Sequence, residues 1–140
     1  MRILYLADIR FPLERANGIQ TMETCHALAA RGHRVSLAVR PDTHTPTRDP
    51  FAFYGLPRLE TLNVEVVPLT GPPVARRTGY LTFGVGRAMG RVRQDIVFTR
   101  DLGLAAILVR LPRVSPDALR DLLGGAYRAA AAGKTRRRAT

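Results

Sequence analysis

The sequence contains few of the residues that build disulfide scaffolds, zinc fingers and membrane spans. Its single cysteine, Cys25, excludes an internal disulfide, and no second ligand pair accompanies it to form a zinc finger. The longest apolar run, residues 102–109 with Gly103 inside it, is far shorter than the ~20 residues of a transmembrane helix. The N-terminal apolar run, residues 3–7, stops at Asp8 and is too short for a signal peptide. We therefore expect a cytoplasmic protein with no transmembrane segment.

Signatures of common catalytic sites are also missing. The serines Ser36 and Ser115 both lie outside a Gly-x-Ser-x-Gly motif, which excludes a covalent hydrolase of that type. Residues 133–135 (GKT) imitate the end of a P-loop, but Arg128 stands where the first glycine belongs. No metal is expected, because metal-ligand spacing is absent around the histidines, His26, His33 and His44. The catalytic residues are unknown from the sequence.

Acidic residues are scarce, and the balance of 22 basic and 11 acidic residues gives a net charge of +11. All the basic residues except Lys134 are arginine, which GC-rich codons encode. The aromatic residues fall mostly in apolar segments and do not alternate with the arginines, so nucleic acid is not an expected partner. The charge leaves one alternative function open. A non-catalytic basic α/β protein would bind an anionic polymer or membrane surface through its Arg-rich tail.

Apolar strands alternate with helical segments over most of the 140-residue chain, which is long enough for one domain. Strands are predicted at residues 2–7, 34–39, 63–68 and 95–99, and helices at residues 19–30, 78–92 and 102–111. Parallel strands require such crossover helices. The pattern predicts a Rossmann-like partial α/β domain of four parallel strands, order 3-2-1-4, with helices on both faces. Residues 1–112 form this domain in the prediction, and residues 113–140 form a helical, Arg-rich tail.

Three local predictions accompany the fold. In the first helix, one face carries four residues at helical spacing: Ile19, Met22, Cys25 or His26, and Ala29. In the proline-rich stretch 41–59, one helical turn is expected after Asp49, with Pro50 at its first position and Gly55 at its end. Close helix packing explains the glycines of the next helix better than a dinucleotide loop does: Gly84, Gly86 and Gly90.

The loop after the first strand is the best candidate for a binding site, because open α/β sheets bind ligands beyond the carboxyl ends of their strands. Asn17 and Gly18 lie where the first helix begins, and exposed N–H groups there suit a phosphate or a sugar hydroxyl. The alternative is a turn that merely needs a glycine. Arg100 follows the fourth strand and is expected to face the same cleft. The alternative for Arg100 is a solvated ion pair with Asp101.

Four segments in order resemble the N-terminal, acceptor-side domain of family 4 GT-B glycosyltransferases. They follow the first strand as residues 16–25 (ANGIQTMETC), 28–35 (LAARGHRV), 49–57 (DPFAFYGLP) and 95–101 (DIVFTRD). The resemblance covers roughly residues 1–112. It implies retaining transfer of a sugar from a nucleotide-sugar donor, usually without a metal, between two Rossmann-like domains. It also implies a substrate-binding role for Asn17, Gly18, Gln20 and Arg100.

The chain departs from this family in two ways. The usual Gly-Gly of the first loop is Asn17-Gly18, and neither a donor domain nor its paired glutamates follow. We therefore expect a truncated transferase that is inactive alone and binds no cofactor itself, the nucleotide sugar being implied for the full-length family. The expected partners are a sugar or lipid-linked acceptor, the missing donor domain, a second copy at an exposed sheet edge, and weak contact with an anionic membrane. A truncated product with no activity is a third interpretation.

Overall fold

Four parallel strands form the single sheet of the structure, a computed structural model that describes residues 1–90 and 92–110. The strands are β1 (Arg2–Arg10), β2 (Arg34–Arg40), β3 (Leu62–Val66) and β4 (Ile96–Thr99). They lie in the order β3-β2-β1-β4, which confirms the predicted order 3-2-1-4. In register, Ile3 of β1 stands between Val35 of β2 and Ile96 of β4. The fold is therefore α/β and Rossmann-like.

Helices α1 (Ala16–Ala30), α2 (Pro50–Tyr54), α3 (Pro73–Met89) and α4 (Leu102–Arg110) cover the sheet. The alternation of β1 places Ile3 and Tyr5 in one apolar core, against α1 and α2. Leu4 and Leu6 point to the opposite core, against α3 and α4. Helices therefore lie on both faces, as predicted. No helix among residues 1–90 and 92–110 is long and apolar enough to cross a lipid bilayer. The predicted helical tail, residues 113–140, lies outside the described residues.

The short helix α2 confirms its predicted capping. The Asp49 carboxylate accepts a hydrogen bond from the Ala52 N–H at 3.0 Å, and Pro50 occupies the first helical position. Gly55 ends the helix in the left-handed region at φ 65°, a conformation that glycine adopts without a Cβ clash. Phe51 is buried against the core on the α1 side of the sheet. One turn of helix thus anchors an otherwise irregular connection to the core.

The predicted inner face of α1 is wrong at Ile19, which is 45% exposed. Met22, Cys25 and Ala29 are buried as expected, but Thr21 takes the remaining inward place. The physical reason lies at the start of the helix. Gly18 is held close to the first loop, so the helix is turned with residue 18 inward and residue 19 outward.

The glycines of α3 differ in role. A Cβ on Gly84 would lie 3.3 Å from Leu6 Cδ1 and 3.4 Å from Leu104 Cδ2, so Gly84 permits the predicted close packing. The same prediction is wrong for Gly86, because a Cβ there would meet no atom within 4 Å. Gly90 lies at the C-terminal end of the helix. The helix also begins earlier than predicted, at Pro73, because proline at the first helical position starts it.

Strand β4 forms one edge of the sheet and pairs only with β1 among the described strands. Ile96 and Phe98 on this strand are both more than 40% exposed. On α4, Leu102 is 86% exposed and Val109 is 79% exposed. Phe98 and Val109 line a shared groove between β4 and α4, and exposed apolar side chains at a sheet edge favour association.

Candidate functional site

A cleft of about 280 Å³ lies at the carboxyl ends of β1 and β4. Strands β2 and β3 follow β1 in the chain and lie on one side of it within the sheet, whereas β4 lies on the other side of β1. Ligands of open α/β sheets bind at such a reversal of strand order. We name this feature the switch-point cleft, and its lining residues are Tyr5, Leu6, Ala7, Asp8, Ile9, Asn17, Thr21, Arg100 and Asp101.

Two of the four predicted site residues line this cleft, and a third contacts one of them. Asn17 lines it at the start of α1, and Arg100 lines it just after β4. Gln20 reaches Arg100 across 80 residues of sequence, because its Oε1 accepts a hydrogen bond of 2.7 Å from Arg100 Nη1. Arg100 is thus oriented by Gln20, and the alternative partner, Asp101, pairs with Arg77 instead.

The fourth predicted residue, Gly18, is buried beneath the first loop. A Cβ at this position would lie 2.3 Å from the carbonyl oxygen of Leu13 and 2.8 Å from the Tyr54 hydroxyl. The Gly18 N–H donates to the Arg15 carbonyl at 2.8 Å. The close contacts that require a glycine at position 18 are therefore those with Leu13 and Tyr54 of the same chain. A direct role of Gly18 toward a ligand stays a prediction.

The two carboxylates that line the switch-point cleft, Asp8 and Asp101, are paired with arginines. Arg77 of α3 contacts the carboxylates of both Asp8 and Asp101, and Arg40 Nε lies 3.0 Å from Asp8 Oδ1. The Arg77 guanidinium holds the pKa of Asp101 below its usual range, and Asp101 in turn raises the pKa of Arg77. The Asp101 carboxylate also accepts from the Leu104 N–H at 2.9 Å. Both carboxylates are committed to these contacts, so they are poorly suited to act as a general base.

The sequence predictions did not include this ion-pair network. The sequence did place Asp8 near the end of β1 and Asp101 just after β4. Because the carboxyl ends of neighbouring parallel strands lie close together, these two positions could have indicated that the carboxylates share one site. Arg77 gave no such signal, since its helix was expected to begin at residue 78 and the structure begins it at Pro73.

Arg48 ties together the two loops that border the site. Its guanidinium donates to Asp42 Oδ1 at 3.0 Å and Oδ2 at 2.9 Å, within the loop after β2. It also reaches Glu14 at 3.0 Å and the Pro12 carbonyl at 3.1 Å, in the loop after β1. The Asp42 side chain is almost fully buried, and the contact with Arg48 lowers its pKa. The two loops therefore form one connected wall.

A second and larger cleft, of about 550 Å³, adjoins the first one. Asn17 lines both clefts. We name this feature the arginine cleft, because four guanidinium groups surround it, and its lining residues are Ile9, Arg10, Leu13, Arg15, Asn17, Arg40, Pro41, Asp42, Thr43, Leu69 and Arg76. Arg10 and Arg40 end the adjacent strands β1 and β2, which is a signal the sequence carried. The site thus joins a charge-balanced cleft to a positively charged one.

Comparisons with protein families, with curated proteins and with solved structures give no match to this chain.

Proposed function

We propose that this chain is the acceptor-binding half of a retaining, nucleotide-sugar-dependent glycosyltransferase. The observation that carries the proposal is the switch-point cleft, which Asn17 and the Gln20-oriented Arg100 both line at the carboxyl ends of β1 and β4. Support also comes from the four sequence segments that resemble the acceptor-side domain of family 4 GT-B enzymes.

The chemistry of the cleft suits a sugar. A sugar hydroxyl both donates and accepts hydrogen bonds, the Asn17 side-chain amide can do the same, and the Arg100 guanidinium donates. The Asp8 and Asp101 carboxylates that line the cleft are engaged with Arg77 and Arg40, so the chain contributes binding and orientation. Stabilisation of the departing nucleoside diphosphate would come from the donor side of such an enzyme.

Saturation-transfer NMR with a panel of methyl glycosides tests acceptor binding. We expect at least one glycoside to bind, and we expect Asn17→Ala and Arg100→Ala each to weaken its binding about 10-fold, the effect of losing one buried hydrogen-bonding contact. The matched controls are Asn63→Ala in β3 and Arg34→Ala at the start of β2, both exposed and remote from the cleft. Binding that is absent, or equally sensitive to the control variants, would contradict the proposal.

Turnover provides a second test. A chain of 140 residues cannot hold two full Rossmann-like domains, so the purified chain should transfer no sugar from any nucleotide sugar in a panel. Transfer by a preparation free of other transferases would show that one domain suffices and would refute the assignment as a half-site.

The basic character of the chain favours a second candidate, a non-catalytic protein that binds an anionic polymer. Arg2, Arg34 and Arg93 surround another cleft at the amino ends of the strands, so basic groups occupy both ends of the sheet. Polyphosphate binding without binding of any methyl glycoside separates the second candidate from the first. A polymer-binding protein would bind polyphosphate with a steep salt dependence that Asn17→Ala leaves unchanged.

A further inference from the structure

The arginine cleft holds more positive charge than its own acidic residues neutralise. Arg40 pairs with Asp8, whose second carboxylate oxygen contacts Arg77. Asp42, the acidic residue in the cleft lining, is bound through both oxygens by Arg48 from outside the cleft. Within residues 1–90 and 92–110, the other three arginines of the cleft form no ion pair: Arg10, Arg15 and Arg76.

Arg76 is the most informative of these three residues. It lies one turn into α3 and lines the cleft, and its Nε is buried without a hydrogen-bond acceptor among the described residues. Leaving a buried charged donor without an acceptor is costly, and native structures usually provide a partner. The positive charge is delocalised over the whole guanidinium, so an anionic oxygen bound from the cleft at the other nitrogens of Arg76 would offset part of this cost.

Arg15 gives an independent indication at the other wall. It is the N-cap residue of the 15-residue helix α1 and makes no side-chain cap, and the first turn of α1 contains no acidic residue. Positive charge at a helix N-terminus is unfavourable, because the helix dipole already makes that end positive. The same unfavourable placement recurs at α3, where Arg76 and Arg77 lie near the N-terminus and no acid is present in the first turn. An anion bound beside these arginines would interact favourably with both helix N-termini and would offset the unfavourable interaction.

We propose that the arginine cleft binds the phosphate group of a phosphorylated small molecule, with Arg10, Arg15 and Arg76 around the phosphate. The cleft volume of about 550 Å³ is in the range of small-molecule sites and exceeds what a single phosphate ion fills. The shared wall at Asn17 places the rest of the ligand beside the switch-point cleft. The identification of this ligand as the sugar acceptor rests on the proposed function, whereas the phosphate site itself does not.

The test is a titration of the full chain with glucose 6-phosphate, inorganic phosphate and glucose at constant ionic strength set by sodium chloride. Binding is followed through the arginine Nε–H signals in NMR spectra, where Arg76→Lys identifies the Arg76 signal. We expect glucose 6-phosphate to bind more tightly than phosphate and to shift the Arg76 signal, while glucose leaves it unchanged. Arg76→Gln and Arg15→Gln should each weaken glucose 6-phosphate binding about 10-fold, as expected for one charge-assisted hydrogen bond.

Arg31→Gln is the matched control, because Arg31 caps the opposite end of the same helix, roughly 24 Å from Arg15 at 1.5 Å per residue. It removes the same charge and should change the affinity less than twofold. Circular dichroism checks that each variant is folded, and Arg76→Lys, which keeps the charge, should retain part of the affinity. Vesicles of phosphatidylglycerol, with phosphatidylcholine as control, separate the two sources of phosphate. If phosphatidylglycerol vesicles displace glucose 6-phosphate and this displacement depends on Arg76, the phosphate belongs to a lipid headgroup. If they do not displace it, the phosphate belongs to a soluble ester. Both outcomes support the site.

Two results would overturn the proposal: equal weakening of glucose 6-phosphate binding by Arg31→Gln and Arg76→Gln, or glucose binding as tight as glucose 6-phosphate. Because no nucleotide sugar is present in this titration, its outcome is independent of the glycosyltransferase assignment. Phosphate binding without any glycoside binding would leave the phosphate site standing and remove the proposed function.

Discussion

Replacement of Gly18 by alanine should destabilise the fold, although alanine is the better helix former. Gly18 lies in the first turn of α1, directly under Leu13 and the Tyr54 hydroxyl. That hydroxyl accepts from the Leu13 N–H and donates to the Leu13 carbonyl, both at 2.8 Å. An added Cβ would approach the Leu13 carbonyl oxygen to 2.3 Å, a distance that forces backbone to move.

The expected magnitude follows from three contributions. Alanine stabilises a helix by about 1 kcal/mol relative to glycine. Overpacking costs about 1–3 kcal/mol, and loss of the two Tyr54 hydrogen bonds costs about 0.5–1.5 kcal/mol each. The net loss should be about 3 kcal/mol, which lowers the melting temperature by roughly 10 °C in a domain of this size.

Urea unfolding followed by far-ultraviolet circular dichroism measures this difference. The matched control is Gly86→Ala in α3, where a Cβ would meet no atom within 4 Å and should stabilise the fold by up to about 1 kcal/mol. Tyr54→Phe removes the two hydrogen bonds without adding a Cβ clash and should fall between the two. A Gly18→Ala variant as stable as the wild type would refute the packing argument, and the glycine would then be explained by a ligand or by the turn alone.

Other predictions concern acid, thiol chemistry and association. Because Arg77 lowers the pKa of Asp101, this carboxylate stabilises the fold above the ordinary aspartate pKa of about 3.9 and loses that contribution as the pH falls below it. Urea titrations between about pH 5 and pH 3 should therefore show a steeper loss of stability in the wild type than in Asp101→Asn, and parallel profiles would contradict this. Burial raises the pKa of Cys25 to about 12, so a thiol reagent near pH 8 should react slowly with the folded chain and rapidly in guanidinium, while equal rates would show that the site opens. Phe98→Lys on the exposed edge strand β4 should reduce self-association in sedimentation velocity, and an unchanged distribution would exclude this edge as the contact.

The sheet was predictable from the sequence because its strands are short apolar runs separated by helices. Residues 3–6 and 37–39 are buried, as central apolar strands should be, and their strands form the centre of the sheet. The doubly wound rule then supplied the order 3-2-1-4. Local capping was equally informative at α2, since Asp49 caps through its own carboxylate and Pro50 and Gly55 act through their own backbone geometry.

The site was only partly predictable, because side-chain pairing depends on distances that a sequence does not contain. Asn17 and Arg100 were found because they follow strands, and the structure adds the bond from Arg100 to Gln20. The bridging role of Arg77 depends on where α3 begins, and four glycines in this segment obscured its helical pattern. The exposure of Ile19 depends on the rotation of α1, which the contact at Gly18 sets.

The position of β4 in the sheet has a consequence for the order of folding. The contact of Arg2 with Asp95 spans 93 residues, whereas that of Asp8 with Arg40 spans 32. Closing the longer loop costs about 0.9 kcal/mol more in conformational entropy. Strand β4 also leaves the ribosome after β1, β2 and β3. During synthesis β1 is therefore an open edge on which any other extended chain can pair. Pulse-labelling hydrogen exchange should find the amides between β1 and β2 protected before those between β1 and β4.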